Sequence, residues 1–143
     1  MDKRAAAIII RDGKILLMRR VKGGHEYFTF PGGRIEEYET AEEAVIRELK
    51  EEANITIVPA GVLLHFENIP MEIEESFFLV ADFSGEPVLG GPEKEHMNEQ
   101  NQYELVWKRF DEVAQMGNLY PDEARRAVVK LIRERYFGDK RNS

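Results

Sequence analysis

The spacing of apolar positions changes several times along the chain, and each change marks an element. "KRAAAIII" and "KILLMRR" flank "RDG". Asp12-Gly13 is a strong hairpin signal, so antiparallel strands are expected at 4–11 and 14–20. "VKGGHE" (21–26) reads as a loop, and "YFTF" (27–30) as a short aromatic strand stopped by Pro31-Gly32-Gly33. A polar loop runs on to Glu39. Thr40 is then an N-cap, and Glu43 completes a capping box that opens a helix over 41–53. "ITIVPAGVLLHFE" (55–67) is rich in β-branched residues and broken by Pro59, which predicts two strand pieces or one bulged strand. "ESFFLVADF" (75–83) reads as a buried strand. The stretch 84–102 is a polar loop with three glycines and two prolines, a length that is uncommon unless the loop is functional or mobile. "YELVW" (103–107) is a further strand, and Asp111 is placed to cap a short helix over 111–116. The amphipathic stretch 120–137 carries Pro121 near the start of a last helix. Strands mixed with two substantial helices predict an α/β domain, a sheet covered by helices with an antiparallel component.

Composition narrows this picture. At 143 residues the chain suits one domain, 1–143, with no internal repeat or linker. Hydrophobic residues are 43% and charged residues 33%, as in an ordinary soluble protein. No apolar run is long enough to cross a bilayer, and Arg11 and Asp12 directly follow "AAAIII", unlike a signal peptide; no membrane is expected and a cytoplasmic location is the default. The absence of cysteine excludes disulfides, cysteine–zinc sites and thiol nucleophiles. A net charge of −7 argues against a nucleic-acid polymer as partner, but not against a small phosphorylated ligand if a metal ion supplies positive charge.

The stretch "RELKEEANI" (47–55) carries the chemistry. With Glu48 set at zero on a helical wheel, Glu51 falls roughly 60° to one side and Glu52 about 40° to the other. Ala41, Ala44 and Val45 fall at roughly 20°, −40° and 60° in the same frame, with Leu49 and Ile46 on one flank. The acidic face therefore continues the apolar face, whereas a solvated acidic stripe would lie opposite it. Like charges one turn apart repel. A hard divalent cation, which prefers carboxylate oxygens, accounts for acids kept there.

Read from Gly33, the spacing is five residues, Glu39, seven residues, then "RELKEEANI". This resembles the Nudix box: G, five residues, E, seven residues, R-E, an aliphatic, any, E-E, any, G, an aliphatic. Gly33, Glu39, Arg47, Glu48, Leu49, Glu51, Glu52 and Ile55 match, and "FPGG" (30–33) precedes the box as expected. Asn54 replaces the last glycine. That residue sits just past the helix end, where a left-handed backbone is common, and asparagine is the best substitute for glycine there. The family fold is an α/β/α sandwich around a mixed sheet.

The resemblance implies hydrolysis of a nucleoside diphosphate linked to a further group, by attack of water on phosphorus with Mg²⁺ or Mn²⁺. It makes Glu48, Glu51 and Glu52 metal ligands, joined by the Gly32 carbonyl, with Glu39 a metal-side or structural carboxylate. Arg47 would orient a carboxylate of the box through its planar fork. The box holds eight acids against three basic residues, a charge that bound cations would offset. Glu48 or Glu52 is placed to take the proton from water. A later glutamate is the other source of a base or ligand: Glu93, Glu95, Glu99 or Glu104, of which Glu99 and Glu104 are favoured. Arg20 and Arg34 are candidates for phosphate, and Tyr27 and Phe28 for stacking on a base. His25, His65 and His96 show no metal-ligand spacing.

A pyrophosphate is the smallest group able to span a metal cluster and leave a good leaving group. Cleavage within a pyrophosphate is therefore expected, not hydrolysis of a monoester, and a nucleoside triphosphate, an oxidised one included, is placed ahead of ADP-ribose. The alternative is a Nudix-like module that binds or senses a nucleotide without turnover; the intact Glu48, Glu51 and Glu52 weigh against it. A solvated or partner-binding acidic surface is a third reading, disfavoured by the facing of the helix. A homodimer is left open.

Overall fold

The computed structural model describes residues 1–91, 94 and 97–136. Two sheets organise it. The first has the order β5-β1-β7-β6, built from β1 (Asp2–Ile8), β5 (Gly32–Arg34), β6 (Thr56–Asn68) and β7 (Ile73–Ser84). β1 runs parallel to β7 and antiparallel to β5, so the sheet is mixed. The second is antiparallel: β3 (Lys14–Lys22) pairs with β2 (Ile10–Arg11), β4 (His25–Thr29) and β8 (Asn101–Arg109). Helix α1 (Ala41–Ala53) covers one face of the first sheet. There Ala5, Ala7 and Phe78 meet Ala44, Val45 and Leu49 in a buried cluster. The opposite side, through Ile8 and Phe77, packs with Leu17, Phe28 and the helices α2 (Phe110–Gln115) and α3 (Asp122–Tyr136). This is the expected α/β sandwich around a mixed sheet.

Several boundaries differ from the sequence expectation. The first strand breaks at Ile9, and its two parts join different sheets, so the expected hairpin reduces to the pairs Ile10–Ile15 and Arg11–Lys14. Pro31-Gly32-Gly33 does not end strand pairing, because Gly32 and Gly33 sit opposite Ala6 and Ala5 in β5. The Pro59 stretch is one bulged strand, with register shifts between Val58 and Leu64. The short helix is entered at Arg109 rather than Asp111; the Arg109 backbone N–H donates to the Glu112 carboxylate at 3.1 Å.

Helix α1 begins and ends as its residues dictate. The Thr40 hydroxyl accepts from the Glu43 N–H at 3.1 Å, and the Glu43 carboxylate accepts from the Thr40 N–H at 2.9 Å. At the other end Asn54 adopts φ 59°, ψ 31°, the left-handed conformation expected for it. The loop after β7 closes back on this helix end. Val88 and Gly90 donate backbone N–H groups to the carbonyls of Ala53 and Glu52 at 2.9 and 2.8 Å, satisfying acceptors a helix terminus leaves open.

Candidate active site

The β1–β5 pairing and α1 together build an acidic cleft of about 320 Å³, lined by Gly32, Gly33, Arg34, Glu48 and Glu51 among others. Gly33 leaves room for the Glu48 carboxylate, which occupies the space where a Cβ on residue 33 would stand. Gly32 lies so close to Ala5 and Ala6 of β1 that it has no room for a side chain either.

Arg47 is the hub of the acids. Its Nε and one terminal nitrogen donate to the two Glu39 oxygens at 2.7 and 2.9 Å, a bidentate pair. The other terminal nitrogen donates to Glu48 at 2.9 Å and to Glu51 at 3.2 Å, while the Arg34 carbonyl accepts at 3.0 Å. Hydrogen bonding to Arg47, reinforced by the Glu36 backbone, lowers the Glu39 pKa to about 2. The Glu39 contact, and after it Glu48, pushes the Arg47 pKa up, against a cost from burial, so the guanidinium stays charged. Both Glu39 oxygens face Arg47, and one also accepts from the Glu36 N–H at 3.0 Å.

Glu48 and Glu52 face inward as the helical period predicts, and Glu51 does so only in part. The Glu52 residue is 5% exposed and the Glu48 side chain 16%, but the Glu51 side chain is 52% exposed. Ile46 is exposed rather than part of the apolar flank. Among the described residues no three His, Cys, Asp or Glu side chains converge as a metal cage. Arg47 draws Glu39, Glu48 and Glu51 to itself, which offsets their mutual repulsion in this state. The donor set nevertheless suits a hard cation, since Glu48, Glu51, Glu52 and the Gly32 carbonyl are all oxygen donors.

A larger cleft of about 770 Å³ adjoins, lined by Arg20, Tyr27, Phe30, Phe77, Asn118 and Tyr120 among others. The Arg20 guanidinium lies 3.8 Å from the Tyr103 ring centroid and donates to the side-chain amide oxygen (Oδ1) of Asn101 at 2.9 Å. Tyr27 meets Tyr120 edge-on at 6.4 Å. Hydrogen bonds from Phe28 N–H to the Asn118 carbonyl and from Tyr120 N–H to the Phe28 carbonyl tie residues 118–120 to β4. The cleft therefore draws on segments far apart in the sequence. Asn118, Tyr120 and Glu123 carried no local signal of a site, because only tertiary pairing brings them here.

Other expected residues fall elsewhere. Phe28 is core, not a stacking surface. Arg34 lines the small cleft and pairs with Asp2 at 3.2 Å. Glu99 and Glu104 are exposed and line neither cleft; Glu104 stands opposite Arg19 in the second sheet. Glu93, Glu95 and His96 lie outside the described residues. His25 borders the larger cleft, and His65 contacts Ser76 and Glu74 at 2.8 and 3.0 Å.

The NUDIX domain model matches residues 1–130. The chain belongs to the Nudix family. It is 40% identical over 96 residues to an 8-oxo-dGTP diphosphatase of Haemophilus influenzae, a match covering 61% of this chain and 71% of that protein. To an ADP-ribose pyrophosphatase of Methanocaldococcus jannaschii it is 49% identical over 49 residues, covering 34% of this chain and 29% of that protein. The solution structure of the E. coli ORF135 protein superposes with a TM-score of 0.72 at 27% identity, covering 94% of this chain and 91% of that one. The family match thus extends well beyond the box at residues 33–55.

Proposed function

We propose that this Nudix hydrolase cleaves a pyrophosphate bond within a nucleoside diphosphate linked to a further group, using Mg²⁺ or Mn²⁺. The observation that carries this is the junction of the two clefts: an acidic pocket built on Gly33 and Glu48 opens beside an aromatic-lined cleft sized for a nucleoside. Glu48, Glu51, Glu52 and the Gly32 carbonyl would hold the cation. When bound, it screens phosphate charge and acidifies the attacking water.

The chain's own residues supply the rest. Arg47 fixes Glu48 and Glu51 and is itself clamped by Glu39. Water oxygen bonds to phosphorus, the bridging P–O bond breaks, and the water proton passes to a carboxylate. Buried Glu52, one turn beyond Glu48, is the proposed acceptor, with Glu48 second. Glu99 and Glu104 are not needed for this step. Tyr27 and Tyr120 offer ring faces to a base, and Arg20 a cation to phosphate.

A nucleoside triphosphate, an oxidised one included, is the favoured substrate over ADP-ribose. The broader match to a relative named for 8-oxo-dGTP supports that order, as does one nucleoside-sized cleft. The reading takes the cytoplasm as the compartment, no nucleic-acid polymer as partner, and leaves a homodimer open. Among the described residues no helix is long and apolar enough to cross a membrane. Turnover with Mg²⁺ should be assayed on triphosphates, ADP-ribose, dinucleoside polyphosphates and a monoester, with products identified. Release of a nucleoside monophosphate from a triphosphate is expected. Preference for ADP-ribose would reverse the order, preference for the monoester would overturn the reading, and metal binding without turnover would favour a sensing module.

A further inference from the structure

We propose that Arg4 binds the phosphate nearest the nucleoside, at the junction of the two clefts; this rests on the nucleotide reading above. Arg4 and Ile73 are shared by the linings of both clefts. A nucleotide with its base in the aromatic cleft and its pyrophosphate beside Glu48 must pass this point. On β1, Arg4 stands opposite Arg34 on one side and Glu75 on the other. It shares a strand face with Ala6, which with Phe77 lines the larger cleft.

The surrounding charges favour a ligand role for it. Arg47 is committed to Glu39, Glu48 and Glu51, and Arg34 pairs with Asp2. The Arg4 side chain is exposed, and among the described residues it makes no ion pair or hydrogen bond. The two acids nearest it in the sheet are engaged elsewhere: Asp2 with Arg34, and Glu75 with the Asn68 amide at 3.0 Å. A planar guanidinium so placed matches two phosphate oxygens.

The full chain should be titrated calorimetrically, in EDTA and at low salt, with the four deoxynucleoside 5′-monophosphates and their parent nucleosides. Wild type, Arg4→Ala and Arg4→Lys are compared. Arg4→Ala should lose about 10- to 100-fold in affinity for the best monophosphate, the range of a hydrogen bond to a charged group, and nothing for the nucleoside. Arg4→Lys should recover part of the loss, keeping the charge without the fork. In the metal-dependent assay, Arg4→Ala should raise KM for a triphosphate more than it lowers kcat. Unchanged monophosphate affinity in Arg4→Ala overturns the proposal, as does an equal loss for the nucleoside, which would mean that Arg4 shapes the base cleft. If the wild type binds no monophosphate and cleaves no nucleotide, the nucleotide reading fails and this inference with it.

Discussion

A methyl group added to Gly32 or to Gly33 should have opposite consequences, although the residues are adjacent in one short strand. On Gly32, a Cβ would meet the Ala5 carbonyl oxygen and lie 2.5 Å from the Ala6 Cα and 2.8 Å from its Cβ. These are mostly backbone atoms of β1, which β5 and β7 hold from both sides, so they cannot yield without loss of pairing. Overpacking costs about 1–3 kcal/mol, and the upper end is expected where backbone must move. For a chain of this size that is a fall of roughly 10 °C in Tm. On Gly33, the nearest atoms all belong to the Glu48 carboxyl group, the far end of a flexible side chain. Neither glycine has positive φ, so alanine is allowed at both, and restricting the unfolded chain stabilises by about 0.4–1 kcal/mol. That gain offsets the weakened Glu48–Arg47 contact, and Gly33→Ala should melt close to wild type. Its displaced Glu48 should lower turnover by about 100-fold, the scale set by small misplacements in an active site. Thermal melts by circular dichroism and Mg²⁺-dependent turnover at 25 °C would separate the two variants. Gly32→Ala melting with the wild type, or Gly33→Ala turning over at the wild-type rate, would refute the argument.

The remaining predictions concern α1 and its acids. Asn54→Gly should be neutral or slightly stabilising, whereas Asn54→Val should cost about 1–2 kcal/mol for a β-branched residue in a left-handed backbone; equal melting temperatures would end the cap assignment. Glu39 titrates near 2 in the folded chain against an ordinary 4.5. The stability it contributes is therefore present above pH 4.5 and lost as pH falls toward 2, on the order of 3 kcal/mol. Glu39→Gln should flatten that part of an acid denaturation profile, and an unchanged profile would count against the Arg47 clamp. Glu52→Gln should lower turnover by orders of magnitude with little change in melting, and chelation should abolish wild-type activity. A variant that kept full Mg²⁺-dependent turnover would remove Glu52 from the site.

What was legible in the sequence follows from which forces are local. Helix α1 could be bounded at both ends because Thr40, Glu43 and Asn54 act on backbone groups within a turn of themselves. The helical period then placed Glu48 and Glu52 inward. It does not fix Glu51, which lies roughly 60° from Glu48 on the wheel, at the margin of the inward face, and is half exposed. The first strand of the expected hairpin divides for a related reason: "AAAIII" is apolar at every position, so alternation does not show the chain passing between sheets at Ile9. Gly32 and Gly33 carry no side chain to pattern, and their strand exists only because β1 supplies its partner. The acids of the box have the same limit. Spacing identified Glu39 as a carboxylate near the cluster, but its two possible roles differ only in whether it faces Arg47 or a metal. The Glu39–Arg47 contact runs between the loop before α1 and the helix itself, beyond the reach of spacing alone. Arg4 is the extreme case: one arginine on an edge of charged residues, with nothing in its neighbours to distinguish it. Its significance appears only when β5 and β7 fold against β1 and set two clefts on either side of it. On the proposed reading the box locates the chemistry, while the residues proposed to hold a substrate are assembled by pairing between distant strands.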